Sequence, residues 1–302
     1  MLKTFMPHLI PFYIVDVFAL GSYTGNPLAV ITSADFLDDQ QMQAIAREMN
    51  YSETTFILSD TPRSGGYDVR IFTPKQELPF AGHPTLGTAY ILKEKILSSP
   101  PHCLTLNLKV GPIPVTVQGD HPLGEILWMQ QNPPQFGETF PRETLAPVLN
   151  LSPESIDPRF PIQAVSTGVP FIIVPLKTLS DVQQIRLQRD RYFELITNSE
   201  AKCILVFCPE TYQGDHQLNV RVFADYLGIP EDPATGSANG CLAGYLAEHN
   251  YFNQPTVDIQ VEQGYEIERP SLLFLRAKPK TEGIEVHIGG QVVMIAQGEL
   301  FV

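Results

Sequence analysis

Hydrophobic positions along this chain come in short runs, many alternating with polar residues and bounded by glycine or proline. That pattern predicts β-strands over 13–18, 28–31, 54–58, 67–72, 115–117, 126–129, 171–174, 203–207, 218–223, 257–261, 272–276, 284–288 and 292–295. Helical spacing is scarcer. Residues 35–49 place Leu37, Ala44, Ile45 and Met49 on one predicted helical face. Shorter helices are predicted to begin at Ser152-Pro153 and Ser180-Asp181, each a capping residue followed by a favourable first turn. Many strands with few helices between them predict an α+β fold rather than regular βαβ winding.

Two segments break the pattern. Residues 85–92 and 238–247 are apolar on nearly every side, so helices there must be buried all round. Both carry glycines, which cost about 1 kcal/mol each in a helix interior relative to alanine. Close backbone packing offsets that cost, and a curved sheet wrapped round each helix would supply it. The chain also repeats itself. Gly25-Asn26-Pro27 is echoed by Gly168-Val169-Pro170, Arg70-Ile71-Phe72 by Arg221-Val222-Phe223, and the segment around Gly82 by that around Gly236. The order is kept and the offset drifts slowly. Two pseudo-symmetric halves are therefore predicted, each a curved, barrel-like mixed β-sheet around a central apolar helix. The first spans 1–130, with strand 291–302 a candidate to complete it. The second spans 131–290, with an active-site cleft between the halves.

Bulk properties narrow the function. The chain has 302 residues, 43% of them hydrophobic and 18% charged, enough for a substantial core. Its formal charge is −13. No basic face suited to nucleic acid is visible, and an acidic surface fits a soluble protein with a small-molecule partner. Apolar runs fall far short of the roughly 20 residues of a membrane span, and the N-terminal residues lack the pattern of a secretory leader. Cys103, Cys203, Cys208 and Cys241 show no CxxC pairing, which suits reduced thiols in a cytoplasmic protein, with Cys203 and Cys208 in the core. Walker, G-x-G-x-x-G and H-E-x-x-H motifs are absent from the sequence, leaving nucleotide and zinc chemistry unsupported.

The chemistry should lie where the two apolar helices begin. A helix N-terminus presents about four unpaired N–H groups and partial positive charge. Gly82 and Gly236 would let a ligand approach that backbone, and Pro84 suits a first turn. Two such ends facing one cleft would hold a carboxylate. His83 and Ser237 occupy matched places at the two junctions; the simpler assignment is that each caps its helix. Glu53 falls where a helix hands over to a strand, and Asp232 lies in an acidic turn segment. A solvated strand-end glutamate and an ordinary turn aspartate are the plain alternatives.

Taken together, Asp16-Val17-Phe18, the Gly25 to Val30 segment, Ser52 to Phe56, Pro79 to Thr85 and Glu231 to Ala238 resemble the phenazine-biosynthesis (PhzF-like) isomerase family, in the same order and over nearly the whole chain. The resemblance implies the diaminopimelate-epimerase fold, a homodimer and a reaction without cofactor. Glu53 resembles the family's catalytic acid/base, and His83, Asp232 and Ser237 the polar residues that orient substrate, with Gly82 and Gly236 at the helix starts. The best-known member isomerises trans-2,3-dihydro-3-hydroxyanthranilate. Related epimerases and racemases use two cysteines, one per half. The junctions here carry His83 and Ser237 instead, and Cys241 has no partner in the first half. The expected activity is thus a cofactor-independent proton shift on a small carboxylate-bearing substrate. A catalytically silent binding protein on the same scaffold is the alternative, and a two-base epimerase a weaker one.

Overall fold

The computed structural model describes residues 8–302. Residues 1–7, on which the absence of a leader partly rested, lie outside the described residues. In chain order the elements are β1 (Leu9–Val17), β2 (Asn26–Ile31), α1 (Asp39–Met49), β3 (Glu53–Ile57), β4 (Tyr67–Phe72), β5 (Glu77–Leu78), α2 (Gly82–Ile91), β6 (Cys103–Leu108), β7 (Gly111–His121), β8 (Gly124–Gln131) and β9 (Gln135–Phe140). They continue with α3 (Arg142–Leu149), β10 (Ile162–Ser166), β11 (Pro170–Pro175), α4 (Leu179–Gln184), α5 (Arg189–Thr197), β12 (Cys203–Cys208), β13 (Leu218–Ala224), β14 (Ile229–Asp232), α6 (Gly236–Glu248), β15 (Val257–Gln263), β16 (Ser271–Lys280), β17 (Gly283–Gly290) and β18 (Val292–Phe301). Two compact units emerge. One comprises Met1–Tyr23, Pro27–Met129 and Gln291–Val302; the other comprises Thr24–Asn26 and Gln130–Gly290.

In the first unit β2 and β3 run parallel, joined through α1, and β3 pairs antiparallel with β4. The β4–β5 hairpin leads into α2, and β6 returns parallel to β4. β7 and β8 follow antiparallel, while β1 pairs antiparallel with β18 from Leu9↔Phe301 to Val17↔Val292. Helix α2 packs against β1, β3, β6, β7 and β18. Nine of its ten residues are buried, as its unbroken apolar sequence requires. Gly87 shows why glycine is used there: a Cβ would meet Leu28 Cδ2 at 2.5 Å and Val17 Cγ2 at 2.9 Å.

The second unit repeats this connectivity. β11 and β12 are parallel, β12–β13 and β13–β14 antiparallel, and β15 returns parallel to β13 after α6. β16 and β17 follow antiparallel. Helix α6 packs against β10, β11, β15, β16 and β17. The opposite face of the sheet is covered by α3, α4 and α5 through Leu145, Leu149, Val182, Tyr192 and Ile196, which join Ile172, Ile204 and Val206 in one core.

Several elements differ from the sequence pattern. Helix α1 starts at Asp39 because Asp38 caps it, in a capping box with Gln41; its buried residues are Met42 and Ala46, and Ala44 is exposed. The Ser152-Pro153 start yields one 3-10 turn, Pro153–Ser155. Helix α4 is capped by Thr178, whose hydroxyl accepts from Asp181 N, so Ser180 lies inside it. Helices α3 and α5 and strands β6, β9 and β10 had no recognised signal. Residues 115–117 proved to be the middle of an eleven-residue strand whose half-exposed ends obscure the alternation.

Candidate functional site

The chain reaches Glu53 through a sharp change of direction. Helix α1 ends at Asn50, which takes the left-handed conformation (φ 54°), and β3 begins three residues later with Glu53 itself. Glu53 is 9% exposed, so it is not the solvated strand-end glutamate of the plain alternative. Its Oε2 lies 3.5 Å from His83 Nε2, an approach long for a hydrogen bond. His83 is 4% exposed, and burial lowers its pKa to about 3, so the imidazole is neutral at physiological pH. A neutral imidazole is one donor and one acceptor rather than a second charge.

Helix α2 is not capped by His83. The N-cap is Ala81, which offers no side-chain hydrogen bond, and Gly82, His83 and Pro84 form the first turn. The N–H groups there are left for something other than a cap. One step further along the same strand and helix, Thr88 Oγ1 donates to Thr55 Oγ1 at 2.8 Å, with both residues wholly buried. Glu53 and Thr55 share a strand face, so this bond is a second tie between the strand and the helix that carry Glu53 and His83.

In the second unit Asp232 closes β14 and is 6% exposed, again unlike an open turn residue. Asn26 Nδ2 donates to its Oδ1 at 2.9 Å and Thr235 Oγ1 to its Oδ2 at 2.5 Å. Burial raises its pKa to about 6 despite those two donors. Helix α6 starts at Gly236 with Thr235 as N-cap, so half-buried Ser237 is not the cap either. Gln263 ties the junction together. Its Nε2 donates to Asp232 O and Thr235 Oγ1, and its Oε1 accepts from Thr235 N and Asn239 Nδ2.

Each junction is also held by the same ionic device. Arg70 on β4 forms a two-pronged pair with Glu77 on β5, at 2.8 and 2.9 Å, with its guanidinium 5.0 Å over Phe72. Arg221 on β13 forms the same pair with Glu231 on β14, at 2.9 and 2.7 Å, 5.0 Å over Phe223. The Arg70 hydrogen bonds hold Glu77 down at about 2. The clamps fix the hairpins that deliver α2 and α6. The strand registers place Cys203 at the start of β12 where Glu53 starts β3. Burial pushes that thiol up to about 12 and Cys241 to about 11, so both are protonated.

Asn26, Thr55, Thr88, Thr235 and Gln263 were not recognised from sequence. Asn26 stood in a quoted motif without a role, and Gln263 meets Asp232 from 31 residues away. The repeated Arg-x-Phe, read from sequence only as a mark of two halves, is where the matched clamps lie.

Comparison with known proteins gives consistent matches. A family model described as phenazine biosynthesis-like protein matches residues 15–298. The trans-2,3-dihydro-3-hydroxyanthranilate isomerase of Pseudomonas fluorescens is 35% identical over 293 residues, covering 96% of this chain and 98% of that protein. A crystal structure of the Bacillus anthracis phenazine biosynthesis protein of the PhzF family superposes with a TM-score of 0.90 at 29% identity, covering 98% of this chain and all of that one. A probable proline racemase from Agrobacterium radiobacter, 12% identical with a TM-score of 0.63 over 97% of this chain and 93% of its own, shares the fold alone.

Proposed function

We propose, for a chain that belongs to the phenazine biosynthesis-like protein family and is an isomerase of that kind, that it moves a proton between carbons of a small carboxylate-bearing substrate, with Glu53 as the single acid/base and no cofactor. The observation that carries this is the buried Glu53 carboxylate 3.5 Å from a buried, neutral His83 at an uncapped helix start. Glu53 takes a proton from one carbon and returns it to another. His83 presents an uncharged N–H or lone pair beside that exchange, and neutrality matters: an imidazolium there would pair with the carboxylate and blunt it as a base. The first-turn N–H groups of Gly82 and His83, which the cap residue does not take up, suit the substrate's carboxylate or the negative charge that develops as the proton leaves. The family resemblance assigns Asp232 and Ser237, beside Gly236, to orienting the substrate.

One proton carrier has a stereochemical consequence. A single carboxylate reaches one face of a conjugated substrate, so the product is a same-face proton shift rather than inversion at one carbon. The protonated thiols at Cys203 and Cys241 support this over a two-base epimerase. The test uses trans-2,3-dihydro-3-hydroxyanthranilate and a panel of small carboxylates in deuterated water, followed by proton NMR. Deuterium should enter at carbon only with active protein. Glu53→Gln should bind with little change and lose turnover by at least roughly a hundredfold, the low end of general acid–base contributions. Near-native turnover by Glu53→Gln would sink the assignment, and no exchange with any carboxylate would favour a binding protein. We further propose a homodimer: sedimentation at micromolar protein should give twice the chain mass, and a clean monomer would contradict it.

A further inference from the structure

The Gln263 side chain is wholly buried, and its four polar contacts allow only one arrangement. Its Oε1 accepts from Thr235 N at 3.2 Å and Asn239 Nδ2 at 2.9 Å, both of which can only donate. Its Nε2 meets Asp232 O at 2.7 Å, which can only accept, and Thr235 Oγ1 at 3.1 Å. Turning the amide over would set oxygen against carbonyl and nitrogen against two donors, so the network fixes its orientation. The Thr235 hydroxyl must therefore accept from Gln263. Its one proton is left for Asp232 Oδ2, 2.5 Å away.

We infer that Gln263 is a positioning residue: by occupying the acceptor side of the Thr235 hydroxyl it directs that proton onto Asp232 and so sets the pH at which Asp232 ionises. This rests on Asp232 belonging to the site proposed above only for its catalytic meaning; the ionisation itself does not depend on that assignment. The second oxygen of Asp232 is already held by Asn26 Nδ2, itself bound to Ala234 O at 2.8 Å, so Thr235 supplies the adjustable donor. The charged group acting on Asp232 besides these donors is Glu231, which Arg221 pairs; Asp232 in turn helps keep the nearby Cys203 thiol protonated. Glu231 raises the Asp232 pKa, and neither variant below alters it. Losing a donor to a carboxylate favours its protonated form.

Gln263→Glu tests the inference with nearly unchanged shape. An ionised carboxylate at this place can only accept, so the Thr235 hydroxyl turns to donate to it and abandons Asp232. Its charge also raises the Asp232 midpoint directly, and the Gln263→Glu, Thr235→Val double variant, which has no hydroxyl, measures that part. Thr235→Val removes the donor outright, and Thr235→Ser keeps it. The readout is the carboxyl carbon of Asp232 in aspartate-labelled full-length protein, titrated by carbon-13 NMR from pH 4 to 8 and assigned with Asp232→Asn. The midpoint should rise by roughly one pH unit or more in Gln263→Glu and Thr235→Val, since the ionised carboxylate loses a donor that favours it. It should stay within about 0.3 of the native value in Thr235→Ser. A rise from Thr235→Val to the double variant as large as that from native to Gln263→Glu overturns the role of Gln263, and no rise in Thr235→Val overturns the hydroxyl as donor. Should Gln263→Glu fail to fold, Gln263→Met, which no longer holds the acceptor side of the hydroxyl, leaves it free to turn, so the midpoint should rise by less than in Thr235→Val, and an unmoved midpoint overturns the role of Gln263. None of these titrations requires turnover, so a failed isomerase assay leaves them readable.

Discussion

Gly240 is where helix α6 approaches its surroundings most closely. A Cβ built there would stand 1.9 Å from Gln131 Oε1, 2.5 Å from its Cδ and 2.9 Å from its Nε2. A flexible side chain could swing away, but this one is anchored at both ends: Nε2 donates to Gly236 O at 2.9 Å and Oε1 accepts from Thr167 at 2.6 Å. Gly240→Ala thus sets two opposed effects against each other. Helix propensity favours alanine by about 1 kcal/mol. Displacing Gln131 breaks two buried hydrogen bonds, each costing about 1–3 kcal/mol once its partner is left unsatisfied. The net loss is roughly 1–5 kcal/mol, a fall in melting temperature of roughly 2–8 °C at this chain length. Differential scanning calorimetry of Gly240→Ala, with Gly119→Ala as a control that meets nothing within 4 Å, measures it. The coupling is checked in a Gln131→Ala background, where the added methyl should cost less. A Gly240→Ala protein that melts at or above the native temperature would refute the close-packing account of the helix glycines.

Two further expectations concern charge. His83 titrates at about 3 in the fold against an ordinary 6.5, so the unfolded chain binds that proton first and stability falls as pH drops from 6.5 towards 3. Asp232 titrates at about 6 against 3.8, so the unfolded chain releases its proton first and stability falls as pH rises from 3.8 to 6. Each slope reaches about 1.4 kcal/mol per pH unit, and the two oppose between roughly pH 4 and 6. Asp232→Asn should therefore lose urea resistance on acidification in that window more steeply than the native protein, and parallel curves would disprove the opposition. Arg221→Met should cost roughly 3–5 kcal/mol by leaving Glu231 unpaired, since both side chains are about nine-tenths buried; Arg70→Met should cost less, because Arg70 is 24% exposed. Equal shifts in their urea midpoints would count against burial as the deciding factor.

What could be read from the sequence was whatever a local period encodes. The unbroken apolar faces of α2 and α6 announced buried helices, and alternation located most of the sheet. The candidacy of Glu53, His83, Asp232 and Ser237 came from the matched helix starts and from motif resemblance, not from periodicity. The Asp232 network was invisible because its members lie far apart in the chain, and a lone glutamine at a strand end has no local signature. Alternation failed where strands are flanked by half-exposed positions, as along β7. The helix starts were misplaced where an unremarked side chain, Asp38 or Thr178, caps one turn away from the expected place.

The pairing of β1 with β18 has a consequence for the order in which the molecule can be finished. Leu9 through Val17 meet Phe301 through Val292, and Leu300 and Val302 pack onto the cluster built by Ile10, Ile31, Met42 and Phe56. Every residue of the second unit lies, in sequence, between those two strands. During synthesis from the N-terminus the unit that carries Glu53 is begun first, yet it cannot close its sheet until residues 291–302 have emerged. Most of the second unit is by then available to fold. A truncation before β18 would therefore injure the unit at the opposite end of the gene, the one holding Glu53 and His83, and leave a partly built sheet with an unpaired edge as the species chaperones must shelter.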